Sequence, residues 1–399
     1  MPLPLAGIRV VDFGRFIAAP YCGMLLADMG ADCVRVERRE GGEDRRVGPV
    51  TKSGAGGLFL NLNRNKRGMT LDLGHARSRE ILEPLVRWAD IAIVNLPLAT
   101  MKNLGLDYAS LCRLKPEIIL VMASAFGPDG PYADRVGFDS VAQAASGAMS
   151  LTGFPGPPVR SIVPFADYGT ALHAAFGAMV ALYQRQQTGL GQLIDVSLLA
   201  TSVAFMQPYL AERAATPVRR QQQGNAAFWT APSDAYRTSD GWIMVPTIGD
   251  WMFARWAKLM GREDFLHDPR FADDLLRADN YQAINEVMTA WCSVRTTHEA
   301  LGELERARIP CGPVQNLDQV LADPQVAARG LLQDVGYQLG DAPVKLSPTA
   351  VRLSAGGEAS PEPARLRPAP ALGEHTDAVL CELGFTAEQI ADFHAIQLI

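Results

Sequence analysis

Short apolar runs alternating with helix-like segments through the first two hundred residues constrain this chain more than any other feature. β-Branched or apolar stretches fall at Ile8–Phe13 (IRVVDF), Cys33–Glu37 (CVRVE), Met69–Leu73 (MTLDL), Ile91–Asn95 (IAIVN), Ile118–Ser124 (IILVMAS) and Gln192–Val196. Each has the length of a strand. Between them Pro20 opens a helix that Gly30 closes, and further helical patterns fall at Arg77–Trp88 and Tyr108–Leu114. Strands connected through helices run parallel, and the helices cover both faces of the sheet. The expected class is therefore α/β, with a mostly parallel sheet that takes nucleotide-like ligands outside the carboxyl ends of its strands. No GxGxxG follows the first strand, so a dinucleotide cofactor is not expected.

A Gly/Pro-rich stretch, TGFPGPPVRSIVPFAD, then delivers Asp167 to the start of a long helix. Leu172, Ala175, Phe176, Met179, Val180 and Tyr183 recur at helical spacing and predict one continuous apolar face. A second long helix is expected over Leu198–Arg213. The periodicity fails beyond Thr216. Residues 1–215 read as the first part of a large domain and 216–224 as a linker. Residues 225–315 read as a smaller α+β domain, with Asp240-Gly241 turning between strands at Asp234–Thr238 and Trp242–Thr247. Residues 316–373 read as a linker and Pro-rich arm, and 374–399 as C-terminal helices that complete the large domain. Thr386 and Gln389 stand at capping-box spacing in the last of them.

Composition removes several classes of function. A formal net charge of −6 leaves no basic excess to neutralise phosphates, so nucleic acid is not an expected partner. No secretory leader and no apolar stretch of about 18 residues is present, so no membrane partner is expected either. The six cysteines are scattered without a CxxC pair and read as buried thiols of a reducing compartment, the cytoplasm. The six histidines show no ligand spacing, so no metal is expected. Neither a GxSxG elbow nor a P-loop occurs.

Two features carry chemistry on their own. Asp167 is well suited to cap a helix, and local sequence favours that reading. The alternative is a nucleophile, held ionised by the helix dipole and attacking an activated carbonyl. Arg38 and Arg39 end one strand and Asn65-Lys66-Arg67 precede another, either as solvated charges or as contacts to a phosphorylated ligand.

Longer motifs narrow the choice. With LAGIRVVDFGRFIAAPYCGMLLADMGADCVRVERREGGEDRR, NKRGMTLDL, LKPEIILVMASAFGPDGPYADRVGFDSVAQAASGAMSLTG, RARIPCGPV, LADPQV and LGEHTDAVL, the chain resembles the class III CoA-transferases. This is the family of formyl-CoA and carnitine CoA-transferases, and the resemblance spans essentially the whole length. It implies a Rossmann-like large domain, a smaller domain and an interlocked, ring-like homodimer. It implies no prosthetic group; the CoA thioester is a substrate, with an acyl-CoA donor and a small carboxylic acid acceptor. Asp167, in VPFADYGTALH, matches the family's nucleophile. Phe16, Ile17, Ala18, Arg38, Leu71, Asp72, Leu73, Asn95, Leu96, Asn103, Leu104, Arg135, Val136, Gly137, Phe138 and Asp139 match its CoA-contact positions. The acceptor is expected to meet the small domain near Gly224–Trp229 and Thr247–Asp250.

The sequence departs from the family pattern in places. Ile17 stands where some members have Gln, Asn103 where many have Arg, and Gly74 where one branch has Lys; Lys102 and Arg135 are the candidate replacements. The runner-up is a CoA-ester isomerase of the α-methylacyl-CoA racemase type, whose motif has a His where this chain has Phe138. A phenyl ring cannot carry the proton such chemistry needs. Intramolecular CoA transfer within a diacid would use the same Asp167 and stays open.

Overall fold

The computed structural model describes residues 3–52, 54–339, 342–354 and 365–399. Residues 355–364 of the expected Pro-rich arm lie outside that description. Contacts divide the chain into two compact units. One comprises Met1–Ser146, Ser161–Pro208 and Pro324–Ile399; the other comprises Gly147–Arg160 and Tyr209–Asp323. The second unit thus begins inside the stretch that sequence assigned to the large domain, and it also takes in 147–160.

In the first unit, β1 (Arg9–Asp12), β2 (Asp32–Glu37), β3 (Arg67–Thr70), β4 (Ile91–Val94), β5 (Ile119–Ser124) and β6 (Leu193–Ser197) form one sheet. Its order is β3-β2-β1-β4-β5-β6 and every pairing is parallel. The strand order reverses between β1 and β4, and such a reversal opens a crevice at the carboxyl ends of the strands. β3 ends earlier than the run Met69–Leu73 suggested. Leu71, Asp72 and Leu73 lie in the loop beyond it, where the Asp72 carboxylate accepts from Gly74 N at 2.9 Å.

Seven helices matter here: α1 (Ala18–Asp28), α2 (Arg79–Trp88), α3 (Asp139–Ala145), α4 (Phe165–Thr188), α5 (Leu198–Phe205), α6 (Thr376–Glu382) and α7 (Ala387–Ala395). α1 and α4 pack on one face of the sheet, against Val10, Ile93, Ile119 and Val121. On the other face α2 meets Val11, Val34 and Leu120, and Val379, Leu380, Ile390 and Phe393 of α6 and α7 join the same core. The capping box at Thr386 and Gln389 forms.

Two helix expectations need correction. α4 does not bury the face with the large side chains: Leu172, Phe176, Met179, Val180 and Tyr183 are all exposed, Phe176 at 70%. Its buried face is Ala166, Gly169, Thr170, Ala171, Ala174, Ala178 and Ala181, with Leu182 the one large side chain among them. Small residues let a helix approach its neighbours closely, and a Cβ on Gly169 would stand 2.8 Å from Thr201 Cγ2 of α5. The helix expected over Leu198–Arg213 is two, α5 and a second over Gln207–Ala215, separated at Met206. Among the cysteines, all free, Cys22, Cys33 and Cys292 are buried, while Cys381 is exposed, against the expectation of buried thiols.

The second unit is α+β. β7 (Ser233–Arg237) and β8 (Trp242–Pro246) form an antiparallel hairpin across Asp240-Gly241, and β9 (Gly312–Pro313) pairs with β8. Helices over Gly249–Leu259, Tyr281–Ser293 and Thr297–Arg306 close its core around Phe253, Trp256 and Phe271. Trp229 stacks on Tyr209 at 4.8 Å and donates to Glu212 Oε1 at 3.0 Å.

Candidate active site

The loop leaving β1 is fixed from below by a buried ion pair. Lys66 Nζ donates to Asp12 Oδ2 at 2.7 Å, to Pro20 O at 2.8 Å and to Asn63 Oδ1 at 2.9 Å, and Asp12 Oδ1 accepts from Gly14 N at 2.7 Å. Buried charges persist only when paired and hydrogen-bonded in this way. The Asn65-Lys66-Arg67 cluster is therefore structural, not a phosphate contact. Arg67 pairs with Asp32 and Glu382, and Asn65 donates to Asp28.

Above this base, Asn95 clamps the main chain of Arg15, accepting from its N–H at 2.8 Å and donating to its carbonyl at 2.7 Å. Phe16 is held in the left-handed region, at a φ of 62°, and its N–H donates to Asp44 Oδ2 at 3.3 Å. α1 starts immediately afterwards at Ala18, with no side chain capping its first N–H groups. The β1–α1 loop is thus rigid, and a helix N-terminus opens toward the crevice.

Two cavities line this edge of the sheet, and Arg15 and Leu96 belong to both. The smaller, about 250 Å³, is bounded by Phe13, Gly14, Arg38, Leu71, Asp72, Leu73, Gly74 and Leu104, among others. The larger, about 490 Å³, collects Phe16, Ile17, Ala18, Asn95, Arg135, Val136, Gly137, Phe138 and Asp167. Most expected CoA-contact residues, from the loops after β1, β2, β3, β4 and β5, therefore converge on one edge.

Asn103 and Asp139 are the exceptions. Asn103 is exposed and lines neither cavity, and its neighbour Lys102 is likewise exposed and outside both. Asp139 is 6% exposed and lines neither; its carboxylate accepts from the main chain of α4 and from the Gln143 side chain. Of the two candidate replacements for the missing phosphate contacts, Arg135 alone reaches a cavity wall, its guanidinium over the Tyr132 ring at 3.9 Å. Arg38 is largely exposed and paired with Glu43 at 3.1 Å.

Sequence reasoning missed Arg15, Leu98, and the turn Ala125–Pro128 with Ala133 and Asp134, all of which line the larger cavity. A signal was present. SAFGPDG is a Gly/Pro turn at the carboxyl end of a central strand, the end where parallel sheets bind ligands.

Asp167 sits in the first turn of α4, half-buried, on the wall of the larger cavity. It is not the cap that local sequence favoured: the N-cap position is Pro164, without a side-chain cap. Asp139 of α3 does that work from another helix. Its Oδ1 accepts from Ala166 N at 2.8 Å and from Asp167 N at 3.3 Å. Ala18, Ala123, Ala142 and Ala166 cluster here with Leu198, and the four small side chains let five elements meet at this point. Nor does the helix dipole keep Asp167 readily ionised. Burial first, and then the Asp139 carboxylate, weaken it as an acid, raising its pKa from the ordinary 3.8 to about 7. Phe138 lines the same cavity, edge-on to Phe16 with ring centres 5.3 Å apart.

A half-buried carboxyl on the wall of a cavity, at the carboxyl edge of a parallel sheet whose strand order reverses, is the ligand-binding arrangement of an open α/β enzyme fold. Residues 5–376 match the model of CoA-transferase family III, and the chain belongs to that family. It is 33% identical over 405 residues to the succinyl-CoA–D-citramalate CoA-transferase of Chloroflexus aurantiacus, covering 100% of this chain and 98% of that one. Identity to the succinate–glutarate CoA-transferase of Agrobacterium fabrum is 34% over 398 residues, 95% of this chain and 96% of the relative. A CaiB/BaiF family protein from Brucella suis superposes with a TM-score of 0.81 at 32% identity, covering 96% of this chain and 100% of that one. The chain is a CoA-transferase: it moves CoA from an acyl-CoA to a carboxylic acid.

Proposed function

We propose that Asp167 is the nucleophile of this transfer and that the acyl groups are those of short dicarboxylic acids. The observation that carries the first part is the position of Asp167, half-buried on the wall of the larger cavity among the loops at the sheet edge. The second part rests on the relatives, whose names pair succinyl-CoA with citramalate, or succinate with glutarate. In this reading the nucleotide end of CoA lies in the smaller cavity beside Arg38, Asp72 and Leu104. Its pantetheine arm crosses at Arg15 and Leu96 and brings the thioester to Asp167. Asn103, Asp139 and Lys102 play no part in that contact.

The ionised Asp167 carboxylate attacks the thioester carbonyl. The tetrahedral adduct expels CoA thiolate and leaves an aspartyl acyl anhydride. The thiolate then attacks the aspartyl carbonyl and expels the donor acid, giving an aspartyl-CoA thioester. The acceptor carboxylate attacks that carbonyl in turn and re-forms an anhydride and thiolate. Attack of the thiolate on the acceptor acyl carbon yields the new acyl-CoA and restores Asp167. Each oxyanion needs donors, and the uncapped N–H groups at the start of α1, beside Ile17 and Ala18, are the ones nearest in sequence to the cavity wall. Apolar walls from Phe16, Phe126, Phe138 and Leu198 limit hydrolysis of the intermediates. Phe138, in place of an imidazole, supports transfer over α-proton exchange.

We further propose a homodimer in the cytoplasm. The exposed apolar row on α4, with Leu190 and Leu193 beyond its end, supports a partner surface, and the free cysteines suit a reducing compartment. The decisive experiment incubates the protein with succinyl-CoA and a panel of carboxylates, reads new CoA esters by mass spectrometry, and traps the acylated enzyme with hydroxylamine. An adduct on any residue other than Asp167 would defeat the mechanism; exchange confined to monocarboxylates would defeat the substrate class.

A further inference from the structure

Asp139 and Gln143 form a buried clamp below Asp167 that the transfer reaction does not touch directly. They stand one turn apart on α3, 6% and 1% exposed. Asp139 spends one carboxylate oxygen on two main-chain donors of α4, Ala166 N at 2.8 Å and Asp167 N at 3.3 Å. The other oxygen accepts from Gln143 Nε2 at 2.6 Å. The Gln143 carbonyl in turn accepts from Ser161 N at 2.9 Å, at the head of the segment that leads into α4. Three of these bonds tie the segment entering α4, its first turn and the nucleophile's own N–H to one short helix, and the fourth braces that helix internally. The arrangement is fully satisfied: neither side chain leaves a buried polar atom without a partner.

We infer that Asp139 is the positioning residue of the nucleophile: through its main-chain bonds, and with Gln143 bracing it, it sets where the Asp167 carboxyl stands in the cavity. The inference rests on reading Asp167 as the nucleophile and replaces the direct CoA contact expected of Asp139. The physical case is that the first turn of a helix frays unless its N–H groups are capped. The ordinary N-cap position of α4, Pro164, supplies no side-chain acceptor, so the cap must come from elsewhere. A charged acceptor binds two adjacent N–H groups more strongly than a neutral one. It also places a second negative charge beside the nucleophile, and that charge keeps Asp167 a weaker acid in the free enzyme.

Other charges around Asp167 are few. Of the elements packed on α4, α1 brings Tyr21, Cys22 and Asp28, the last paired with Arg64 at 2.7 Å, and β6 brings Asp195. β5 and α5 bring no titratable group, Tyr168 follows on α4 itself, and Asp134 and Arg135 line the cavity. Among these, Asp139 is the acid whose charge acts on Asp167.

The test exchanges the two ends of the clamp. Asp139→Ala removes the cap and should lower kcat by about 10- to 100-fold, with KM for the CoA ester little changed, as expected when a reacting group is displaced by a fraction of an ångström. Asp139→Asn keeps an oxygen for the helix but sets its NH2 against that of Gln143. The double variant D139N/Q143E restores all four hydrogen bonds with the Asp139–Gln143 bond reversed and the charge moved farther from Asp167. It should recover most of kcat over D139N, and its acid limb in the pH profile of kcat/KM should move to lower pH than in the wild type. Should Asp139→Ala fail to fold, the comparison of D139N with the double variant decides alone. Wild-type kcat in Asp139→Ala, or a double variant no better than D139N, overturns the inference while hydroxylamine still labels Asp167 in the wild type. Absence of that wild-type label overturns the nucleophile and this inference together.

Discussion

The unusual acidity of Asp167 makes a prediction about stability as well as rate. Its carboxyl is held neutral to about 7 in the fold, against an ordinary value of 3.8. The folded value lies above the unfolded one, so the sign is opposite to that of a salt-bridged aspartate. The side chain contributes fully below the unfolded value, and the contribution is lost as pH rises toward the folded value. Between those limits each tenfold change in the acidity constant is worth about 1.4 kcal/mol. A wild-type penalty of about 4 kcal/mol therefore develops between about pH 4 and pH 7 and is constant above. Asp167→Asn removes the ionisation and keeps the shape. It should be as stable as the wild type at pH 4 and more stable by a few kcal/mol at pH 8.5, a rise in Tm of about 5 °C for a chain of this length. Its transfer activity should be lost. Thermal unfolding of both proteins across that pH range is the assay. A variant no more stable than the wild type at pH 8.5 would refute the claim that burial and Asp139 disfavour the ionised carboxyl. A gain already present at pH 4 would point to a cause other than its titration.

The same shift sets the pH dependence of the reaction. kcat/KM should rise with pH and level off above about 7, as the carboxylate becomes available in the free enzyme, and a profile flat from pH 5 to 8 would contradict it. Lys66→Met should destabilise the fold by about 3–5 kcal/mol, because it strands the buried Asp12 carboxylate without a cation; chemical denaturation at pH 7 measures this. Asn95→Ala removes both bonds to the main chain of Arg15 and should raise KM for the CoA ester about tenfold, with a smaller effect on kcat, in steady-state kinetics.

Much of the fold was legible because strands in a parallel sheet are buried on both faces and leave continuous apolar runs, as in IAIV and IILVMAS. The β1–α1 loop and the segment around Asp167 were legible through motif resemblance. Reading failed where two apolar patterns shared one helix. On α4 periodicity selected Leu172, Phe176 and Tyr183, yet the sheet is met by the alanines, because close approach rewards small side chains. It failed again at Lys66, whose charge looked available to a phosphate until Asp12, more than fifty residues away, proved to hold it.

By itself, then, the sequence determined a parallel α/β sheet, a Gly/Pro-rich approach to a helix, and a carboxylate near that helix's start. Those are local properties, written in spacing and residue type. What only the tertiary structure decided is the state of that carboxylate. The cap on its helix comes from Asp139, 28 residues earlier in the chain, and its acidity comes from burial among elements far apart in sequence. Proximity and desolvation belong to the packed molecule, and no local pattern encodes them.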